Sequence, residues 1–329
     1  MLDFSIMIPA TRNDLLPKCL QSLAEMDYPK NKFEVILIIS ERYDKATKEI
    51  AISQIETRDL NPALRRNLGV EKARAPIIAF IDDDVTVEKD WMKNAKRLFD
   101  GHPGITGLGG PDKIPPNSSF REQITDALLS HKYFGSGVLA HSYYPKRKII
   151  RHASGIALCN MFIKKADFAS IDGFNVKMGY GGEDTEMIYV LQKRFHAKFL
   201  YDPSVVVYHR KRPFGLKYFR QRFIFRIKNG KLLYVYPDLY LKNRSFLLFM
   251  FAISFGIALF FVDRTLFLWC LGAYGALLTL SSLNFIARDI RIFILLPFLL
   301  FLQHIIYYVG IWMGIMHGYD YKKLKMIRR

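Results

Sequence analysis

Three long apolar runs near the C-terminus restrict what this chain can fold into more than any other feature. They cover Ser245–Val262, Thr265–Leu283 and Ile292–Met316. A helix needs about 20 mainly apolar residues to cross a membrane. Because the runs are rich in Phe and Leu and almost free of charge, they favour membrane helices over the buried helices of a globular core. We therefore predict a membrane region of about three helices at 245–329, which ends in a basic tail.

The topology of this region contains a conflict. If the preceding domain faces the cytoplasm, three spans place the tail YKKLKMIRR outside, yet its five basic residues favour the inside. Either one run is re-entrant or interfacial, or the tail is an exception. Gln303 and His304, at membrane depth in the last run, indicate a protein-facing or water-lined position.

A basic and aromatic segment precedes the apolar runs. The formal net charge is +18, and His209–Lys231 holds nine Lys or Arg residues and no acid. Such a segment beside a membrane region predicts an interfacial amphipathic helix on anionic lipids, which we assign to 213–244. Nucleic-acid binding is the weaker interpretation, because no recognised nucleic-acid module accompanies the segment. The oligomeric state is left open.

The first two hundred residues alternate between strand-like and helix-like segments. The strands are predicted at Phe4–Ala10, Phe33–Ser40 and Pro76–Ile81, and the helices at Leu15–Met26, Asn61–Ala73 and Trp91–Asp100. This order predicts an α/β domain at 1–212 with a doubly wound, mostly parallel sheet. Ligands of such sheets bind beyond the carboxyl ends of the strands. Gly109–Phe120 is turn-rich and Phe134–Lys148 has no clean period, and both stretches are predicted to form loops around the site.

The compartment follows from the N-terminus and the cysteines. The run MLDFSIMIPA is short and has no basic lead, so no signal peptide is predicted and the domain is expected to face the cytoplasm. Cys19, Cys159 and Cys270 are scattered and give neither a disulfide framework nor a zinc signature. This usage fits a reducing compartment.

Three adjacent carboxylates, Asp82, Asp83 and Asp84, follow the third predicted strand. In an extended chain the first and third point to the same side, about 6–7 Å apart. This arrangement suits Mg²⁺ or Mn²⁺ bound to phosphate oxygens, since both ions favour carboxylate and phosphate ligands. A solvated acidic turn is the alternative.

Four stretches of the sequence resemble, in order, motifs of the family 2 glycosyltransferases, which have the nucleotide-sugar-binding GT-A fold. They are SIMIPATRN, CLQSLAEMDYPKNKFEVILI, NPALRRNLGVEKARAPIIAFIDDDV with its Asp-x-Asp strand, and GFNVKMGYGGEDTEMIYVLQKR with its Glu-Asp pair. The resemblance runs from about Phe4 to His209. Two features depart from the family: the second strand lacks its usual acidic pair, and the opening turn lacks its usual tyrosine.

The resemblance implies an inverting, metal-dependent transferase that takes a sugar from a nucleotide-sugar donor. The basic segment and the apolar runs further predict that the acceptor is associated with the membrane, such as a polyprenyl phosphate or a polyprenyl-linked saccharide. A processive polysaccharide synthase, a catalytically silent membrane scaffold and a nucleotidyltransferase are the alternatives. The cofactor is predicted to be Mn²⁺ or Mg²⁺.

The residue roles that follow form four groups. They are Asp184 as catalytic base with Glu183 in support; Pro9, Thr11, Ser40, Glu41, Arg66, Asp82 and Asp83 for the donor; Asp82, Asp84 and His209 for the metal; and Arg210, Arg212, Arg220 and Arg222 for an acceptor or lipid phosphate. Helix capping is the simpler explanation for one of the Glu-Asp pair. For Arg66 and His209, a surface arginine and an ordinary histidine remain the alternatives.

Overall fold

The computed structural model describes residues 1–11, 14–44 and 49–318, which divide into two compact units. The first unit joins Met1–Ser118 with Gly137–Arg210. The second joins Ser119–Ser136 with the chain from Lys211 onward. The basic tail at 321–329 lies outside the described residues.

Strands and helices alternate through the first two hundred residues, and helices follow. The strands are β1 (Phe4–Pro9), β2 (Phe33–Ile39), β3 (Ile52–Glu56), β4 (Ile77–Phe80), β5 (Val85–Val87), β6 (Gly107–Gly109), β7 (Asp112–Lys113), β8 (Lys148–Ile150), β9 (Met161–Lys164), β10 (Phe199–Tyr201) and β11 (Val207–His209). The helices are α1 (Leu16–Ala24), α2 (Pro62–Lys72), α3 (Trp91–Gly101), α4 (Phe120–Ser130), α5 (Lys165–Ala169), α6 (Glu183–Phe195), α7 (Leu216–Val235), α8 (Pro237–Leu241), α9 (Arg244–Val262), α10 (Arg264–Ser281) and α11 (Ile290–Met316).

The main sheet of the first unit has eight strands in the order β3-β2-β1-β4-β9-β6-β10-β8. The four strands β3, β2, β1 and β4 run parallel, and β9 and β8 run antiparallel to their neighbours. Both β1 and β2 are buried along their whole length, as expected for strands covered on both faces. The predicted α/β fold with a mostly parallel sheet is therefore confirmed.

A second sheet has three strands in the order β5-β11-β7. Its strand β5 follows β4 in the sequence, directly after the three aspartates. In this sheet His209 pairs with Val85 across the antiparallel β11 and β5 strands. Val207 pairs with Asp112 across the parallel β11 and β7 strands. These short ladders fix the part of the chain that carries the last aspartate and the predicted histidine ligand.

The predicted strands and helices fall close to the observed ones, with two differences. The Asn61 side chain accepts hydrogen bonds from the amides of Ala63 and Leu64, so it caps α2 as predicted. Strand β3 was not predicted, because its mixed burial leaves no long apolar run. Helix α4 was not predicted either; it lies almost wholly between the two stretches predicted as loops, and it begins with a reciprocal capping box of Ser119 and Glu122.

The second unit contains three helices that are long and apolar enough to cross a membrane: Arg244–Val262, Arg264–Phe285 (which continues α10 through a 3₁₀ turn) and Ile290–Met316. Gln303 is buried and accepts a hydrogen bond from the Tyr218 hydroxyl at 2.5 Å. His304 is buried and bonds to the Tyr274 hydroxyl and to the Phe134 carbonyl.

Helix α7 packs closely along α11 within the second unit. A Cβ atom on Gly230 would lie 2.1 Å from the Ile311 carbonyl oxygen, and one on Gly314 would lie 2.1 Å from the Ile227 carbonyl oxygen. The two backbones therefore touch at glycines, as in small-residue contacts between membrane helices. The interfacial placement of this helix stays a prediction.

Candidate functional site

One buried arginine ties together the carboxyl ends of the first three strands. Arg65, on α2, donates from Nη1 to the main-chain oxygens of Ala10 and Ile38 at 3.1 and 3.4 Å. It also donates to the Ser40 hydroxyl at 2.5 Å and to the Asp59 carbonyl at 2.6 Å. Because each acceptor lies at or just beyond a strand end, Arg65 fixes the edge where ligands of such sheets bind.

The sequence pattern indicated Arg66 as a functional residue and did not indicate its neighbour Arg65. Adjacent helical residues point about 100° apart, so the two guanidinium groups serve different surfaces. The repeated arginine in PALRRN was the only signal in the sequence. The rotation of α2 over the sheet, which the sequence does not give, decides which arginine faces which surface.

The donor residues predicted from the first two strands lie at this same edge. Pro9 ends β1 and pairs in register with Ile38 of β2. Ser40 follows β2 directly and is held by the arginine described above, whereas the Glu41 side chain is exposed. An exposed carboxylate and a hydroxyl therefore stand where the family usually has an acidic pair.

The three adjacent aspartates after β4 have different partners. Asp83 is buried and accepts from the Thr11 amide at 2.6 Å and from the Thr11 hydroxyl at 3.3 Å. It thereby fastens the end of β1. Asp82 accepts from Arg66 at 2.9 Å, and Asp84 lies 3.3 Å from His209 Nε2.

Asp82, Asp84 and His209 come together as the sequence analysis predicted for metal ligands. Each offers one ligand atom, and the three atoms lie within 4.8 Å of one another. The pairing of β11 with β5 brings His209 to the aspartates. Two carboxylates and an imidazole fit Mn²⁺ or Mg²⁺.

Arg66 connects this cluster to the Glu-Asp pair. Its Nη2 lies 2.9 Å from Asp82 Oδ1, and its Nη1 lies 3.3 Å from Glu183 Oε1. Within the described part of the chain, Arg66 Nε and Glu183 Oε2 are buried without a hydrogen-bond partner. Buried polar atoms are usually satisfied, so these two are available to a polar ligand or water.

The Glu-Asp pair starts α6 after a glycine turn. Gly181 and Gly182 have φ values of 92° and 91°, in the left-handed region that glycine tolerates. Glu183 is buried and Asp184 is half-buried, and Asp184 accepts from the Thr185 amide at 2.7 Å. Burial raises the pKa of Glu183 to about 7 and also raises the pKa of Asp184. A raised pKa suits a carboxylate that must accept a proton near neutral pH.

The four arginines predicted to hold a phosphate have different surroundings. In the first unit, Arg210 donates to the Asn117 side chain at 2.9 Å. In the second, Arg212 and Arg220 are exposed. Arg222 lies over two aromatic rings, 5.6 Å from the centre of Tyr218 and 4.8 Å from that of Phe225. Binding of an acceptor or lipid phosphate by these four arginines stays a prediction.

The mostly parallel sheet with an acidic cluster at its carboxyl edge fits the GT-A fold of transferases. A sequence model of the family described as Glycosyl transferase family 2 matches residues 5–162. This part of the chain is therefore similar to the family 2 glycosyltransferases.

Two sequence relatives match the chain over different lengths. Poly(ribitol-phosphate) beta-N-acetylglucosaminyltransferase TarS of Staphylococcus aureus is 28% identical over 149 residues, which are 39% of this chain and only 25% of that protein. Dolichyl N-acetyl-alpha-D-glucosaminyl phosphate 3-beta-D-2,3-diacetamido-2,3-dideoxy-beta-D-glucuronosyltransferase of Methanococcus voltae is 22% identical over 330 residues, 95% of this chain and 97% of that protein.

Among solved structures, the mannosyltransferase PcManGT of Pyrobaculum calidifontis, in complex with GDP-Man and Mn²⁺, aligns with a TM-score of 0.56 at 15% identity. The alignment covers 95% of this chain and 86% of that chain. At this level of identity the likeness shows the fold.

Proposed function

We propose that the protein transfers a sugar, with inversion, from a nucleotide-sugar donor to a membrane-associated acceptor. The observation that carries the proposal is the continuous charged site from His209 through Asp84, Asp82 and Arg66 to the Glu183–Asp184 pair. Arg66 contacts one of the candidate metal ligands, Asp82, on one side and Glu183, next to the candidate base, on the other. Both parts are needed for displacement of a nucleoside diphosphate by an acceptor hydroxyl.

Asp82, Asp84 and His209 would hold Mn²⁺ or Mg²⁺. A divalent ion supplies positive charge that neutralises a departing diphosphate. Arg66 adds a fixed cation beside Asp82. Pro9, Thr11, Ser40 and Glu41 line the strand ends that would hold the nucleoside, and Asp83 keeps Thr11 in place there.

Asp184 would take the proton from the acceptor hydroxyl as that oxygen attacks the anomeric carbon. The Thr185 amide, which donates to one Asp184 oxygen, fixes the carboxylate at the start of α6. Buried Glu183 adds a negative charge next to Asp184 and is itself paired with Arg66. The helix N-terminus favours the ionised form of both acids, which opposes the effect of burial.

The acceptor is inferred to be a lipid-linked phosphate or saccharide. The three apolar helices favour a membrane location, and the name of the Methanococcus relative describes a dolichyl-phosphate-linked glycan. In this proposal residues 1–212 catalyse the reaction on the cytoplasmic side. Residues 213–244 lie at anionic lipids, and 245–329 anchor the chain. Arg210 and Arg212, just before this segment, and Arg220 and Arg222 within it bind headgroups or the acceptor phosphate.

A donor panel tests this function. Full-length protein in detergent is incubated with Mn²⁺ or Mg²⁺ and with UDP-, GDP- and dTDP-sugars, and release of the nucleoside diphosphate is measured with and without a polyprenyl phosphate. We expect metal-dependent release from one donor class, stimulated by the lipid. Release of pyrophosphate would indicate a nucleotidyltransferase, and no release with any donor would indicate a silent scaffold; either result contradicts the proposal.

A further inference from the structure

A second group of metal-ligating side chains faces the other nitrogen of His209. Asp112, Cys159 and His209 each offer one ligand atom, and the three atoms lie within 4.8 Å of one another. Asp112 Oδ2 lies 3.6 Å from His209 Nδ1 and 3.7 Å from Cys159 Sγ. Ligand atoms around a tetrahedral zinc ion, with bonds of about 2.0–2.3 Å, are about 3.3–3.7 Å apart. The two observed separations therefore fit a single small ion.

The backbone that carries these side chains is held in place by Asn160. Its Nδ2 donates to the carbonyl oxygens of Pro111 and Val205 at 3.1 and 2.7 Å. Its Oδ1 accepts from the Trp91 indole at 2.9 Å. Pro111 directly precedes the aspartate, Asn160 directly follows the cysteine, and Val205 leads into the strand that ends at the histidine. Hydrogen bonds of Asn160 therefore hold the three ligand-bearing segments next to one another without an ion.

The surroundings of the aspartate add a further support. Asp112 is fully buried, and its Oδ1 bonds to His141 Nδ1 at 2.8 Å. Metal-ligating carboxylates are commonly oriented by such an outer partner. His141 thus turns the other oxygen of Asp112 toward Cys159 and His209.

We propose that Asp112, Cys159 and Nδ1 of His209 form a zinc-binding site. A thiolate and an imidazole are the ligands that select Zn²⁺, whereas the oxygens of Asp82 and Asp84 favour Mg²⁺ or Mn²⁺. Binding releases the Cys159 thiol proton to solvent, as is usual for zinc-bound cysteine. No zinc signature is visible in the sequence, because the three ligands come from separate segments.

The two ions would compete for one imidazole ring. Nε2 of His209 faces Asp84 at 3.3 Å, and Nδ1 faces Asp112 at 3.6 Å. A neutral imidazole has one nitrogen with a free lone pair and one that carries a proton. When Zn²⁺ takes Nδ1, the ring proton moves to Nε2, and that nitrogen can no longer serve as a ligand beside Asp84. Zinc therefore opposes the binding of Mn²⁺ or Mg²⁺ at the first site.

The zinc site itself does not depend on the proposed glycosyl transfer, and only its inhibitory effect rests on that function. Direct detection uses Co²⁺ as a coloured substitute for zinc in the full chain in detergent. We expect a sulfur-to-cobalt charge-transfer absorption band that excess Zn²⁺ removes. The band should be lost in Cys159→Ser and kept in Cys270→Ser, the matched control with an exposed thiol.

Inhibition is measured second, as the Zn²⁺ concentration that halves Mn²⁺-dependent release of the nucleoside diphosphate. Cys159→Ser should raise that concentration at least about tenfold, the lower end of the cost of losing even an outer metal partner, and should leave activity without zinc unchanged. A wild-type protein without the cobalt–sulfur band, or a band that persists in Cys159→Ser, overturns the zinc site. A normal band in a protein with no transfer activity would instead overturn the proposed function.

Discussion

Arg66 Nη1 and Glu183 Oε1 lie 3.3 Å apart, although 117 positions separate the two residues in the sequence. Both side chains are buried. Burial and the neighbouring Asp184 raise the pKa of Glu183 to about 7, and the Arg66 charge acts in the opposite direction. The pKa of Asp184 is raised by burial, and Arg66 again opposes the rise. The charge of Arg66 therefore lowers the proton affinity of both acids, against the effect of burial.

Replacement of Arg66 should move the pH dependence of the reaction. The rate should rise with pH as the acid pair ionises, because a base acts only when deprotonated. Loss of the cation in Arg66→Gln favours the protonated form, so the acidic limb of kcat/KM should move to higher pH by about one unit or more. Arg66→Lys keeps the charge and should move the limb less.

The exposed Arg58 supplies the control for this measurement. Arg58→Gln removes the same charge away from the pair and should leave the pH profile in place. The shift belongs to the pair of acids, since adjacent titrating groups share their apparent pKa values. An unchanged profile in Arg66→Gln would show that the pair does not limit the rate.

Asp184→Asn should separate catalysis from donor binding. The amide keeps an oxygen for the Thr185 N–H but cannot accept the acceptor proton, so kcat should fall by about 10²–10⁴-fold. Donor affinity, measured by calorimetry, and the melting temperature should stay close to wild type. A lower melting temperature with little loss of kcat would instead favour helix capping as the role of this residue.

Asp84→Asn should weaken metal binding at the first site. Its carboxylate lies beside His209, and loss of one ligand should raise the Mn²⁺ concentration for half-maximal activity at least about tenfold. Asp100→Asn is the matched control, because Asp100 pairs with Lys96 on the exposed face of α3. If both variants respond alike to Mn²⁺, the cluster of Asp82, Asp84 and His209 does not hold the ion.

The main parts of the fold could be predicted because they depend on local patterns. Buried β1 and β2 are continuous apolar runs, and the cap at Asn61 is a short-range signal. Strand β3 is an edge strand with only part of its surface buried, so its pattern was weak. The capping box of α4, Ser119 with Glu122, was readable in the sequence but lay in a segment dominated by turn residues.

The site was predictable only where its residues follow a strand end or a motif. Asp84 and Asp184 belong to such motifs. Arg65 and Asp112 do not, because their importance depends on which distant groups the fold brings to them. The glycines at positions 310 and 314 have the spacing of a helix-contact motif, but the sequence alone does not say which helix they contact.

Arg65→Met should destabilise the first unit strongly. The substitution removes the Arg65 donor from the buried Ala10 carbonyl and from the carbonyls of Thr57 and Asp59, whereas the Ile38 carbonyl keeps the Ala10 amide as a donor. Each lost hydrogen bond costs about 0.5–1.5 kcal/mol and a buried unsatisfied carbonyl costs about 1–3 kcal/mol, so we expect the free energy of unfolding to fall by at least about 2 kcal/mol, measured by urea denaturation. Arg58→Met, on the exposed surface, should change it by less than about 0.5 kcal/mol. Equal effects would contradict the role of Arg65 in holding the strand ends.

Gly230→Val tests the contact between α7 and α11. A Cβ on Gly230 would lie 2.1 Å from the Ile311 carbonyl oxygen and 2.8 Å from Gly314 Cα, and both are backbone atoms that cannot move aside. Overpacking of this kind costs about 1–3 kcal/mol or more, so the melting temperature in detergent should fall. Gly275→Val is the matched control, because a Cβ there has no atom within 4 Å and the change in helix propensity is the same. If the two variants melt alike, α7 does not pack against α11, and its basic face is free to lie elsewhere.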